Sequence, residues 1–510
     1  MNLTRRHALI GAALAPTLAA ARAEPRRQLV VGMSGWPPAL DPVLYNHTAT
    51  RRLMPQIFDT LLRFDHAHDM ALAPGLAERW ERQDERTLRL TLRRGVTFHD
   101  GAPLTAADIA FSFSPTRLNG RQGQTVALET LARIETVETP DTHTAVIRSK
   151  GPDTLLEQRL AAWCSEIVSQ RAFEAAGSWE HWGAAPVGSG PYRVVDLRTD
   201  VHVRLEAHPG YWGGRPPFDT LEFRIVPEQA ARVAGLRAGD LDLITDVAPD
   251  QFADIASQPG LEVTGGAVRN ARYLGIDTTA PLLSDVRLRQ ALSLAIDRRT
   301  FVDSLWAGRV SVPRSWQFES FGSSFVADHP APAYDPDRAR ALLREMGYGG
   351  EPITYRLLNN YYTNQVSGAQ VLIEMWAAVG LRVEIEMLEG FTQIYRKPIN
   401  AIWDSSNTAV LQDHMGHPWR LFGPNGNHVR MGVWKNAGYE ALGARMENVT
   451  DPAERQALNG EMLRLLDREV PAVILHASGQ FYGKRKDVPW QPGQTLDMDL
   501  GPLNPALRGA

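Results

Sequence analysis

The 510-residue chain has a single cysteine, Cys164, so no disulfide can form within it even in an oxidising compartment. A basic excess is missing as well. Lys and Arg total 54 against 58 Asp and Glu, a formal net charge of −4, which gives no electrostatic footprint for nucleic acid. Beyond the first two dozen residues no apolar run reaches the roughly 20 residues that a membrane helix needs. Catalytic signatures are absent too: there is no Gly-x-Ser-x-Gly and no His-Glu-x-x-His. Gly188-Ser189-Gly190 lacks the Lys-Ser/Thr helix start of a phosphate loop, and Cys164 has no activating motif beside it. Such a chain must be held by buried cores. Its length exceeds the roughly 250–300 residues at which one core stops growing, so at least two domains are expected.

The first residues read as an address. Thr4-Arg5-Arg6-His7-Ala8-Leu9-Ile10 is a twin-arginine start, an apolar run follows to Ala21, and Ala21-Arg22-Ala23 is a small-x-small cleavage site. Residues 1–23 are therefore expected to be a signal peptide of twin-arginine type, with an ordinary Sec signal as the alternative. No cysteine follows the cleavage site, so no lipid anchor is expected.

The chain is organised around residues 72–113, LAPGLAERWERQDERTLRLTLRRGVTFHDGAPLTAADIAFSF. Leu88, Leu90 and Leu92 alternate with Arg89, Thr91 and Arg93, the period of a strand with one buried face. Arg94-Gly95 and His99-Asp100-Gly101 are turns, and Thr105 with Asp108 three residues on forms a capping box before a short apolar helix. Further along, Leu29-Val30-Val31-Gly32 reads as a strand, and residues 56–62 as an amphipathic helix. Leu155 to Trp163 reads as a helix, and Trp163, Trp179 and Trp182 as packing residues. Leu221 to Leu243 reads as strand, helix, turn and strand. Asp285 caps a helix with Leu288, Ala291, Leu292, Ala295 and Ile296 on one face, and Gly347 and Gly380 close two later helices. The β-α-β succession marks an α/β protein.

Pro74, Leu76, Ala77, Trp80, Leu92, Arg93, Gly95, Val96, Phe98, His99, Asp100, Gly101, Pro103, Ala107, Asp108, Phe111 and Ser112 fall where a family signature has them. The block resembles the extracellular solute-binding proteins of the dipeptide/oligopeptide/nickel class, family 5, which serve ABC transporters. Leu40-Asp41-Pro42, Gly188-Ser189-Gly190-Pro191-Tyr192, His208-Pro209-Gly210-Tyr211-Trp212 and the run from Asp285 to Asp297 resemble it as well. The resemblance implies a two-lobed periplasmic-binding-protein fold, class II-like, with an extra accessory α+β subdomain in the first lobe. Residues 24–70, 186–275 and 478–510 would form lobe I, 71–185 the accessory subdomain, and 276–477 lobe II. It also implies a soluble periplasmic protein, expected to be a monomer, with no enzyme activity, no cofactor and no bound metal. Its partners would be a peptide or other small-molecule solute and the inner-membrane permease and ATPase subunits. Opines, glycosides and metal chelates stand behind peptides as solutes, and a secreted hydrolase is the rival of a different class.

The resemblance places the loop after the first strand at the mouth of the cleft, so Ser34 and Trp36 are ligand-contact candidates; the alternative for Trp36 is packing beneath a lobe. In the second lobe, Asn359, Asn360, Tyr361 and Tyr362 end a strand, and a second segment runs from Ser405 to Trp419. Dipeptide binders of the family carry an arginine in the first region and an aspartate in the second. No arginine stands at residues 359–362, while Asp413 is the candidate for a ligand ammonium, since a carboxylate pairs well with one. Trp403, Trp419 and Trp434 are candidates to stack on a planar or sugar-like ligand. His414 and His417 are spaced for a metal only on a helix, which Gly416 and Pro418 oppose, so His414 is expected to hydrogen-bond in the cleft.

Overall fold

A computed structural model describes residues 27–36, 39–44, 48–65, 70–119, 127, 130–359 and 361–507. The expected signal peptide and Asn360 lie outside the described residues. At the centre is a ten-stranded sheet. Its order, edge to edge, is Val383–Leu388, Ile353–Leu358, Ala401–Thr408, Leu261–Ile276, Ala472–Arg485, Leu243–Ile244, Gln28–Met33, Thr220–Ile225, His202–Ala207 and Tyr192–Arg198.

Each half of that sheet contains a parallel trio, and parallel neighbours require a crossover. In the first half Gln28–Met33 lies between Thr220–Ile225 and Leu243–Ile244, parallel to both. The helix Gln229–Ala238 makes the crossover and stops at Gly239, which takes φ 82° as a C-terminal cap. Leu29, Val31 and Met33 are buried on one face, and Val30 packs on the other. In the second half Ile353–Leu358 is parallel to Val383–Leu388 and Ala401–Thr408, with the helix Gln365–Ala377 crossing over.

The two strands in the middle join the halves. Leu261–Ile276 and Ala472–Arg485, 16 and 14 residues long, run antiparallel. Residues 261–267 pair with 479–485 beside the first half, and 271–276 pair with Ala401–Thr408 in the second. Between these stretches the register shifts at Ala267/Ala271 and again at Arg272/Tyr273. A bulge of this kind bends both strands and leaves the ladder locally weaker.

The organising stretch folds largely as its pattern predicts. Thr87–Leu92 is a strand with Leu88, Leu90 and Leu92 buried, in an antiparallel sheet ordered Ala77–Arg82, Thr87–Leu92, Thr144–Ser149 and Ile134–Asp141. The helix Ala106–Ser112 starts at Thr105 with both arms of the capping box made by Asp108. Two expectations differ. The helix placed over residues 56–62 instead spans Thr48–Ile57. It stops because the Gly190 amide takes the carbonyl of Ile57, and the chain turns so that half-buried Asp59 can accept from Ser189, Tyr211 and Trp212. The expected helix from Leu155 to Trp163 is only Leu156–Arg159, since Asp153 draws in the Arg159 side chain and the Leu160 carbonyl receives Leu62.

Candidate functional site

The loops after three parallel strands meet between the two halves. Ser34 and Trp36 follow Gln28–Met33, Asp246 follows Leu243–Ile244, and Tyr361 and Tyr362 follow Ile353–Leu358. Carboxyl ends of parallel strands are where open α/β sheets place ligands, because the backbone there diverges and leaves a crevice. Together with Arg52, Arg272, Trp306 and Gln480 these residues line a cavity of about 160 Å³. A second cavity of about 250 Å³ adjoins it and shares Thr48, Tyr361 and Tyr362. Its wall is polar, with Asn270, Ser405, Ser406, Asn407, Thr408, Asn427, Arg420 and Arg430, and Tyr273, Phe391 and Tyr395 add rings.

On the first-half side the cavity is fixed by one ion pair. Arg52 donates from Nη2 to Asp246 Oδ1 at 2.6 Å and from Nη1 to Oδ2 at 2.9 Å, and it also reaches Thr245 and Gln480. Ser34 and Thr245 hydroxyls each donate to Asp246 Oδ2 at 2.7 Å. Burial alone would push the Asp246 carboxyl up, but the Arg52 guanidinium and these donors hold it well below the usual carboxylate range. Across the cleft, Arg272 donates from Nη2 to Asp404 Oδ1, and its guanidinium carbon lies 3.3 Å from the centroid of the Tyr362 ring. Tyr361 meets Tyr362 and Phe391 edge-on, with centroids 4.5 and 4.7 Å apart.

Of the residues singled out from sequence, the structure brings Ser34, Trp36, Tyr361 and Tyr362 together in one cavity wall. Asn359 is exposed at the strand end, and Asn360 lies outside the described residues. The remaining candidates sit elsewhere. Trp403 is fully buried beneath the crevice floor, its ring pressed against Gly275, where a Cβ would come within 2.2 Å of it. Asp413 is buried, accepting from Ser324 Oγ at 2.8 Å, Arg455 Nη2 at 2.9 Å and the Met415 amide at 2.9 Å. That carboxylate is fully engaged within the second half, so it does not stand ready for a ligand ammonium. His414 lies between Asn459 and Tyr439, and burial lowers its pKa to about 4, so the ring is neutral. His417 contacts the carbonyls of Trp316 and Asn407, so the two histidines serve different partners. Trp419 donates to Glu447 and packs on Gly443, and Trp434 is buried edge-on against Phe422 and Tyr439. Among the described residues no group of three or more His, Cys, Asp or Glu could hold a metal ion.

Arg52, Asp246, Arg272, Trp306 and Gln480 escaped the sequence reading. Arg272 and Gln480 lie in the two long strands that cross between the halves, and no local pattern marks either as lining the crevice. Asp246 carries one signal in retrospect, since it sits two residues past a buried strand at the end of a β-α-β unit.

A family model described as bacterial extracellular solute-binding proteins, family 5, middle, matches residues 71–428. The chain belongs to that family. As a family 5 solute-binding protein it is 33% identical, over 406 residues and 73% of both chains, to a Brucella ovis protein named as an ABC transporter peptide-binding protein. It is 26% identical, over 480 residues covering 87% of this chain and 85% of the relative, to heme-binding protein A of Haemophilus influenzae. Its fold matches the dipeptide-binding protein of Pseudoalteromonas sp. SM9913, solved with Met-Leu, at a TM-score of 0.84. That match covers 93% of this chain and 99% of the other at 20% identity, and so speaks for the two-lobed fold. The crevice between the sheet halves is thus the cleft between two lobes. In the described residues no helix is long and apolar enough to cross a membrane.

Proposed function

We propose that this family 5 protein is the exported, solute-capturing component of an ABC importer. It takes a peptide or peptide-like solute between its lobes in the periplasm and delivers it to permease and ATPase subunits in the inner membrane. The observation that carries this reading is a cavity walled from both lobes, with Ser34, Trp36 and Arg52 on one side and Tyr361 and Tyr362 on the other. A wall divided in this way is completed only when the lobes approach, which makes solute binding and hinge closure one equilibrium. Peptide capture is supported by the name of the Brucella relative. In this reading the protein performs binding and release as a monomer and catalyses nothing itself. Lobe I comprises residues 24–70, 186–275 and 478–510, lobe II residues 276–477, and residues 71–185 form the accessory subdomain.

A non-peptide solute on the same fold is the second reading. It is favoured by the engagement of Asp413 with Arg455, which removes the expected partner for a peptide ammonium. Native mass spectrometry of the mature protein taken from the periplasm separates the two. A ladder of peptide masses is the expected result, a single heme, glycoside or chelate mass selects the second reading, and turnover of the retained compound would overturn both.

A further inference from the structure

The cleft carries an asymmetry of charge. Of the residues lining its two cavities, the only carboxylate is Asp246, and Arg52, Ser34 and Thr245 occupy both of its oxygens. Arginines line both cavities: Arg52 and Arg272 in the first, Arg420 and Arg430 in the second. Within this set Arg52 and Arg272 each carry a buried nitrogen with no hydrogen-bond partner, Nε in Arg52, whose two terminal nitrogens are both engaged, and a terminal nitrogen in Arg272. Arg272 is 6% exposed, its Nη2 is committed to Asp404, its face is stacked on Tyr362, and its Nη1 is buried with no hydrogen-bond partner.

A buried guanidinium arm without an acceptor is costly, because the donor has left water and found nothing in return. Such a group calls for an explanation, and where it belongs to a residue lining a cleft, an acceptor supplied by a ligand is one. The Asp404 contact and the Tyr362 ring fix the plane of the fork, so the orphan arm is pre-aimed, which is the arrangement that suits a planar carboxylate. An ammonium finds no open carboxylate here, since the one on these walls is already neutralised by Arg52.

We infer that Arg272 is the anchor for a carboxylate of the solute, and that the solute is an anionic, peptide-like acid whose amino end is acylated or otherwise blocked. This rests on the reading of the interlobe cleft as the solute site. Arginine reaches the Tyr361–Tyr362 corner here from a crossing strand, in place of one in the loop itself.

The test compares N-acetylated di- and tripeptides, the same compounds as C-terminal amides, and the same sequences with free amino ends, by isothermal titration. The acetylated acids are expected to bind at least tenfold tighter than either the amides or the free-amino peptides. Arg272→Met should erase the preference of acid over amide, and Arg272→Lys should restore part of it. The comparison in the unaltered protein stands even if Arg272→Met fails to fold. Equal binding of acids and amides, a preference that survives in folded Arg272→Met, tighter binding of the free-amino peptides, or no binding by any acetylated acid would each overturn the inference. Quenching of Trp36 fluorescence, absent in Trp36→Phe, reports separately on the cleft. Binding that quenches Trp36 but ignores Arg272 defeats only this inference, whereas binding that leaves Trp36 unchanged defeats the cleft reading itself.

Discussion

Asp413 shows how a residue type can suggest one role and its surroundings impose another. Its carboxylate is 1% exposed and is held by Arg455, Ser324 and a backbone amide, and Arg455 in turn ties down the carbonyls of Met446 and Val449. Removing one partner of a buried pair strands the other, at a cost of about 3–5 kcal/mol. Asp413→Asn should therefore lower the free energy of unfolding in urea by about 3 kcal/mol. It should leave the affinity of the folded protein for its retained solute unchanged. A tenfold loss of affinity at unaltered stability would return Asp413 to the site. Ser34, Trp36, Tyr361 and Tyr362, in the loops after two strands, were legible because the family resemblance implies that these loops face the cleft. Trp403, Trp419 and Trp434 were not, since a tryptophan suits a core as well as a cleft, and only tertiary contacts decide which.

At the scale of elements, local signals were read well wherever the backbone bonds to itself. The alternation at Leu88, Leu90 and Leu92, the Thr105–Asp108 capping box and the C-terminal glycine at 347 all depend on neighbours a few residues away. The end of the first helix depends on residues 130 positions distant and was missed. Gly188 and Gly190 lie so close to it that a Cβ on Gly188 would fall 1.9 Å from the Ile57 carbonyl oxygen. Gly188→Ala should thus cost about 3 kcal/mol of stability, at the upper end of overpacking penalties, read from urea melts. The same turn half-buries Asp59, whose pKa is raised to about 6 by desolvation despite donors from Trp212, Tyr211 and Ser189. Between pH 4 and 6 the unfolded chain then binds fewer protons than the folded one, so stability falls as pH rises through that window and levels above it. Asp59→Asn should remove that share of the decline. The gap in Tm between the two proteins should therefore shift in favour of the variant from pH 4 to pH 6. A constant gap would mean that Asp59 ionises as it does in the unfolded chain.

For the whole molecule, what matters is how firmly the two lobes are joined. Two strands cross between them, and both lose register near Ala271, where the Asn270 amide bonds Thr408 and its carbonyl oxygen accepts from Ser478. A second set of contacts bypasses this crossing. Residues before the second lobe touch it directly: the Gln412 amide donates to Gln158, its side chain donates to the carbonyl of Met70, and Arg133 pairs with Glu447 at 3.2 Å and bonds Asn448. Separation of the lobes about the bulged strands would have to break these contacts as well. They bias the equilibrium toward the arrangement seen here without touching the solute. Arg133→Ala combined with Gln412→Ala should weaken affinity about tenfold, a loss of about 1.4 kcal/mol, mainly through faster release. The same double variant without solute should show a larger radius of gyration in small-angle scattering than the unaltered protein, and saturating solute should bring the two together. An unchanged radius with unchanged release would mean that the strand crossing alone sets the opening of the lobes.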